Sequence, residues 1–180
     1  VLATGGSEGG TRTTPPVEVT TPAPIPPPPP TTVEQQSPTH RTSDPIPILM
    51  YHVVADPPRD APYPGLYVSR AAFAGQVAWL AENGYHAVTL REVHGHWRLG
   101  QALPPQPIVL TFDDGYQSHF VNAAPILGRR GWAGVLNLEV RNTTQSWGLS
   151  PRQVQLLVGD GWEVAAHTLT HPDLTQVDDA

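Results

Sequence analysis

Apolar residues concentrate in five segments between residues 46 and 167, separated by more polar stretches. The segments are IPILMYHVV (46–54), YHAVTL (85–90), PIVLTF (107–112), GWAGVLNLEV (131–140) and WEVAAH (162–167). Each predicts a strand, and the first reads as a buried one. The intervening segment YPGLYVS (63–69) predicts a loop.

Helical patterns alternate with these strands. Ser69 is a suitable cap for a helix over residues 70–83. Further helices are predicted over residues 91–99, 118–130 and 151–159. Strands that alternate with helices at this spacing favour an α/β fold with parallel strands. In such folds the functional residues gather at the carboxyl ends of the strands.

The amino-terminal quarter of the chain has a different composition. Twelve of the 22 prolines lie in residues 1–47, among Thr, Gly and Ser. Such a segment buries too little apolar surface to offset its ordering entropy, so residues 1–45 are predicted to be a disordered spacer and residues 46–180 the folded domain. A spacer of this kind favours a secreted or cell-envelope bacterial protein. The start at Val1 rather than Met is compatible with a signal peptide removed or never included.

Charge and composition exclude several classes of function. The net charge is −6 with ten Lys and Arg residues, which argues against a nucleic-acid partner. No apolar run reaches membrane-spanning length. The absence of Cys excludes disulfides and thiolate ligands. A monomer is expected.

The third predicted strand leads directly into two adjacent carboxylates, Asp113 and Asp114. Two buried carboxylates without partners would drive one of them to take up a proton. A divalent cation removes this difficulty, because it holds one carboxylate as a ligand and leaves the other ionised. The pair therefore predicts one metal ligand and one general base.

The fifth predicted strand leads into HTLTH, with His167 and His171. No Glu lies between them, so the motif of the zinc proteases does not match. Pro172 disfavours helical geometry at His171, so the pair is predicted on a loop or a single turn. Two imidazoles and one carboxylate would leave a position open for water, as in catalytic zinc sites.

TFDDG and HTLTH resemble the first two motifs of the polysaccharide deacetylase family, carbohydrate esterase family four. The segments IPILMYHVV, YPGLYVS, WLAENGY, LPPQPIVLTFDDGY and WEVAAHTLTHPDL are similar to stretches of bacterial members. The likeness covers about residues 46–176. It implies an irregular (β/α) barrel, which would be incomplete here because the chain ends after the fifth predicted strand.

The resemblance also implies residue roles. Asp113 would be the general base, Asp114 the metal-binding carboxylate, and His167 and His171 the imidazole ligands. Zinc is the expected metal, with Co²⁺, Ni²⁺ or Mn²⁺ left open. The implied reaction removes an acetyl group from an N-acetylated glycan, with the N–H of Tyr116 as a candidate donor to the oxyanion.

Other residues are weaker candidates. His52, at the end of the first strand, could contact substrate or be a hydrogen-bonded strand-end residue. Trp147, in a predicted loop, could stack on a sugar. His119, one turn beyond the Asp pair, is expected on the surface, with a position lining the cleft as the alternative. Glu139, at the end of the fourth strand, has no evident role.

The family pattern continues with an Arg-containing motif, an Asp/Trp motif and a late His, none of which this chain contains before Ala180. The sequence is therefore expected to be a fragment or a truncated relative with impaired activity. The alternative function is a glycan-binding module without turnover. The sequence leaves open which glycan is recognised: peptidoglycan, poly-N-acetylglucosamine, chitin or acetylated xylan.

Overall fold

The computed structural model describes residues 45–178. Apart from Pro45, the predicted spacer lies outside the described residues. Within the described range no helix is long and apolar enough to cross a membrane.

Seven strands lie in the described range, and every pairing between them is parallel. They are β1 (Ile48–Tyr51), β2 (Val53–Val54), β3 (Tyr67–Val68), β4 (His86–Ala87), β5 (Pro107–Asp113), β6 (Val135–Leu138) and β7 (Glu163–Ala166). Five form one sheet in the order β1-β5-β6-β7, with β4 also pairing with β5. Each predicted strand segment supplies one strand of this sheet, so the predicted α/β class is confirmed. Across residues 45–178 the sheet stays open rather than closing into a barrel.

Four α-helices connect the strands. They are α1 (Arg70–Glu82), α2 (Leu90–Leu99), α3 (Ala124–Gly128) and α4 (Pro151–Gly159). Ser69 caps α1 as predicted, accepting a hydrogen bond from the Ala72 N–H at 3.1 Å. Both α2 and α4 begin with reciprocal capping boxes, in which a side chain at the cap and one three residues later satisfy each other's backbone donors.

The predicted single helix over residues 118–130 is wrong in detail. A π-helical segment (His119–Ala123) precedes α3, and the Ala124 N–H donates to the carbonyl of His119 five residues earlier. Pro125 has no N–H to continue a regular α-helical ladder at this point. The first residue of this π-helical turn, His119, is buried.

The core lies around β5, which is buried along nearly its whole length. Phe112 contacts the rings of Tyr51, Phe73 and Trp162, with centroids 5.5, 5.9 and 4.9 Å away. These aromatic contacts pack against the strand that ends in Asp113, so the carboxylate pair begins from a buried strand.

Two sequence predictions near the start of the domain are wrong. The segment 46–54 is not one buried strand: it breaks into β1 and β2, and in β1 Ile48 and Met50 are 51% and 64% exposed. Along the path of the sheet β1 is a terminal strand, and within residues 45–178 no further strand pairs with its outer edge. The loop predicted at 63–69 contains β3, which pairs with β2.

Candidate metal centre

The register of the sheet brings three strand ends to one edge. Asp113 of β5 pairs with Asn137 of β6, and Leu138 pairs with Ala166 of β7. Parallel strands end on the same side of a sheet, so the residues that follow them become neighbours. Asp114 and His167 are thereby placed close together although 53 positions separate them in the chain.

Asp114, His167 and His171 converge on a common point. The Nε2 atoms of His167 and His171 lie 3.4 and 3.8 Å from the same oxygen, Oδ1 of Asp114. One potential ligand atom from each residue lies within 4.8 Å of the other two. Ligands held about 2.0–2.2 Å from a tetrahedral zinc ion lie about 3.3–3.6 Å apart, so small adjustments would let one ion contact all three.

The backbone at these positions is unusual. Asp114, Thr168 and His171 have φ values of +70°, +65° and +49°, a left-handed region that non-glycine residues rarely adopt. The loop is closed by a hydrogen bond from the His171 N–H to Oγ1 of Thr168 at 2.8 Å. This turn, rather than a helix, brings the two imidazoles together. Strained backbone of this kind concentrates at functional sites.

Gly115, next to Asp114, has a structural requirement of its own. Its φ is +82°, and a Cβ atom there would lie 2.6 Å from Cδ1 of Leu138. The positive φ and the close approach to the Leu138 side chain both favour glycine at this position. Within the DDG sequence, Asp114 and Gly115 are thus two successive residues with left-handed backbone.

Asp113 has a different set of partners from Asp114. Its side chain is 7% exposed. Oδ1 accepts a hydrogen bond from Nδ2 of Asn137 at 2.7 Å, while Oδ2 lies 4.0 Å from Nε2 of His52. The amide fixes the orientation of the carboxylate. Sequence reasoning missed Asn137, whose only signal was an amide within the otherwise apolar run VLNL.

Beside the centre lies an aromatic groove. Trp147 is 45% exposed and packs against Tyr116 with ring centroids 5.1 Å apart. Burial, followed by the negative charge of Asp114, raises the pKa of Tyr116 above its usual value, so the phenol stays neutral. The adjoining cavity of about 510 Å³ is lined by Val53, Ala55, Tyr67, Tyr116, Gln117, Ser118, Val121, Asn122 and Trp147.

Comparison with known proteins agrees with the motifs. Residues 100–180 match the family model described as polysaccharide deacetylase. The resemblance to the polysaccharide deacetylase family is confirmed. A poly-β-1,6-N-acetyl-D-glucosamine N-deacetylase of Escherichia coli K12 is 36% identical over 112 residues, which is 62% of this chain and 16% of that protein.

Solved structures of deacetylases show the same fold. The Streptococcus pyogenes deacetylase PplD in complex with acetate matches with a TM-score of 0.67 and 27% identity, over 74% of this chain and 60% of that one. A polysaccharide deacetylase from Bacillus cereus matches with a TM-score of 0.65 and 30% identity, over 74% and 42%. The chain thus spans less than two thirds of each of these relatives.

His119 lies in the protein interior, not on the surface as predicted. It is fully buried, and Nε2 donates a hydrogen bond to the backbone carbonyl of His52. Burial is the main cause that lowers its pKa to about 4, so the ring is neutral at physiological pH. His119 therefore supports the segment that carries the His52 imidazole. The π-helical turn that directs it inward left no clear signal in the sequence.

Proposed function

We propose that this chain is a metal-dependent hydrolase that removes acetyl groups from an N-acetylated polysaccharide. The observation that carries the proposal is the approach of two imidazoles, His167 and His171, to one oxygen of Asp114, with a second buried carboxylate on the adjacent residue. The similarity to proteins named as polysaccharide deacetylases supports the same reaction class.

Asp114, His167 and His171 would hold the metal through one carboxylate oxygen and two imidazole nitrogens. This donor set suits zinc, and Co²⁺, Ni²⁺ or Mn²⁺ are compatible with it. A bound ion of this type polarises a carbonyl and makes a water molecule acidic enough to attack it at neutral pH. With three protein ligands, a position remains for that water.

Asp113 acts as the general base. Asn137 holds one of its oxygens at 2.7 Å and leaves the other available to accept the proton of the attacking water. The N–H of Tyr116 is assigned to the oxyanion, since no described residue accepts a hydrogen bond from it. His52, 4.0 Å from Asp113, is placed to contact the substrate or the base.

The substrate is proposed to be a polymer of N-acetylglucosamine, as in the name of the Escherichia coli relative. Trp147 and Tyr116 offer exposed aromatic surface at the groove, which suits stacking against a sugar ring next to the one that reacts. Such a substrate places the protein outside the cell or at the cell envelope, in line with the proline-rich spacer.

The test is acetate release from β-1,6-linked N-acetylglucosamine oligomers by the 180-residue chain. The protein is stripped with a chelator and then reloaded separately with Zn²⁺, Co²⁺, Ni²⁺ or Mn²⁺. Release is expected to stop on stripping and to return on reloading. Oligomer binding without acetate release under every metal would overturn the enzyme and favour a glycan-binding module.

A further inference from the structure

Glu139 is the buried charged group that the mechanism above does not use. It follows β6 directly, and its side chain is 7% exposed. Oε2 accepts a hydrogen bond from Nδ2 of Asn142 at 3.1 Å. Oε1 lies 3.4 Å from Nε of Arg141 but accepts no hydrogen bond among the described residues. A buried carboxylate held so incompletely is costly, so its presence calls for an explanation.

One branch of contacts leads from Glu139 to the carboxylate ligand. The buried Asn142 amide donates both to Glu139 and, at 3.0 Å, to the backbone carbonyl of Asp114. Both partners are acceptors, so the NH₂ side of the amide must face them. The carbonyl that Asn142 holds belongs to a residue with φ +70°. The contact therefore stabilises the left-handed conformation that presents the Asp114 side chain.

A second branch leads to the imidazole loop. The N–H groups of Val140 and Arg141 donate to the carbonyls of Thr168 and Leu169 at 3.3 and 3.0 Å. The guanidinium of Arg141 also donates to the carbonyl of Thr170 at 3.4 Å. These carbonyls belong to the three residues between His167 and His171. The short segment after β6 thus holds the loop from which both imidazoles project.

We propose that Glu139 is a positioning residue that joins these two branches: through Asn142 it fixes Asp114, and through Arg141 it fixes the loop of His167 and His171. It contacts none of the three directly. Groups that orient metal ligands in this way typically change metal affinity 10–100-fold when they are replaced. The inference rests on the metal site of the proposed function.

The alternative is that Glu139 merely completes the end of a strand. A strand end needs no buried negative charge, and a neutral side chain would avoid the cost of burying one. A structural role and a positioning role differ in one respect, because only the second predicts a loss of metal affinity larger than any loss of stability.

Glu163→Gln is a matched control for Glu139→Gln. Glu163 is a carboxylate on the adjacent strand β7, at the opposite end of the sheet, and its Oε2 accepts a hydrogen bond from the Arg91 N–H at 2.9 Å. Both variants and wild type of the 180-residue chain are titrated with Co²⁺, and the visible absorption of the bound ion reports ligand geometry. Thermal unfolding of the metal-free proteins reports stability.

Glu139→Gln is expected to bind Co²⁺ about tenfold more weakly than Glu163→Gln, with an altered absorption band and a similar metal-free melting temperature. Equal affinity and equal spectra in the two variants would overturn the inference and leave the metal site intact. A wild type that binds no Co²⁺ would overturn the proposed function and the inference with it.

Arg141→Ala is a second variant in case Glu139→Gln does not fold. The Arg141 side chain is 59% exposed, so its removal should leave the core unchanged. Arg141→Ala is expected to weaken Co²⁺ binding severalfold. Where Glu139→Gln folds, the double variant is expected to lose less than the product of the single losses. Wild-type affinity in Arg141→Ala would overturn the joining role of Glu139.

Discussion

The two halves of the candidate centre are built differently. In the carboxylate half, the Asp113 and Asp114 side chains are 7% and 15% exposed. In the imidazole half, His167 and His171 are 29% and 56% exposed. The carboxylates follow a buried central strand, whereas the imidazoles sit on a loop after a strand at the edge of the sheet.

This difference indicates which part of the site is set before a metal binds. Asp113 is fixed by a strand partner, Asn137, and the Asp114 backbone by Asn142. Among the described residues the His171 side chain makes no hydrogen bond; its Nε2 lies 3.8 Å from Oδ1 of Asp114, and its ring contacts that of His167. We therefore expect the carboxylate half to be preorganised and the imidazole half to become rigid when the ion binds.

Asp113→Asn tests the carboxylate half most severely. The amide keeps an acceptor for Asn137 but cannot take a proton from water, so acetate release is expected to fall about 10²–10⁴-fold. Metal affinity, measured by calorimetry, should stay within about threefold of wild type, because Asp113 is not assigned as a ligand. Full activity in this variant would show that Asp113 is not the base.

Removing one proposed ligand from each half compares how much the carboxylate half and the imidazole half contribute to metal affinity. Asp114→Ala and His171→Ala are each expected to weaken Zn²⁺ binding about 100-fold or more, since a four-ligand zinc site contributes about 10–16 kcal/mol in total. Competition with a chelating dye measures the affinities. His94→Ala, which removes an exposed imidazole from α2, should bind like wild type. If His171→Ala also binds like wild type, the exposed imidazole is not a ligand.

Acid should destabilise the scaffold beneath the carboxylate half through His119. Its pKa falls from 6.5 to about 4 on folding, so the unfolded chain binds the proton first as the pH drops. The stability from the neutral ring is present above pH 6.5 and is lost as the pH falls through 4, a change of about 3 kcal/mol. Urea unfolding at several pH values measures it.

His119→Gln is the comparison for that measurement. The glutamine amide can still donate to the His52 carbonyl but does not titrate. The unfolding free energy of the variant should therefore vary less with pH between 6.5 and 4 than that of wild type. Parallel pH profiles for the two proteins would contradict the assignment of acid sensitivity to His119.

The smallest expected effect is at the groove. Trp147→Ala should raise KM for a long N-acetylglucosamine oligomer about fivefold, equivalent to about 1 kcal/mol, with kcat nearly unchanged. The residue is expected to bind substrate and transition state equally. Trp79→Ala is the control, since Trp79 is 57% exposed on α1 outside this groove. Equal KM values in the two variants would remove Trp147 from the proposed substrate contacts.

The sequence predicted the five strands of the main sheet but not the environment of each. PIVLTF and IPILMYHVV are both predominantly apolar runs that predict strands, yet β5 is buried and β1 is largely exposed. A hydrophobic run shows which side chains of a strand are suited to burial. It does not show which neighbours cover the strand, because that depends on the order of strands in the sheet.

The residues of the candidate site also fall into two groups, those that the sequence predicted and those that it did not. Asp113, Asp114, His167 and His171 were predicted because they follow strands in recognisable short motifs. The supporting residues Asn137, Asn142 and Glu139 were not, since their roles depend on strand register and on a loop conformation. The buried position of His119 likewise follows from a π-helical turn, which no motif in the sequence predicts.

The left-handed backbone at Thr168 has a practical consequence for protein engineering. A library selected for heat tolerance alone would favour glycine at this position, because glycine adopts such a conformation without steric cost. The same change would delete the hydroxyl that receives the His171 N–H, and the loop would sample shapes in which the rings diverge. Selection for thermal stability in this chain should therefore alternate with a screen for Co²⁺ binding, read from the visible absorption of the bound ion.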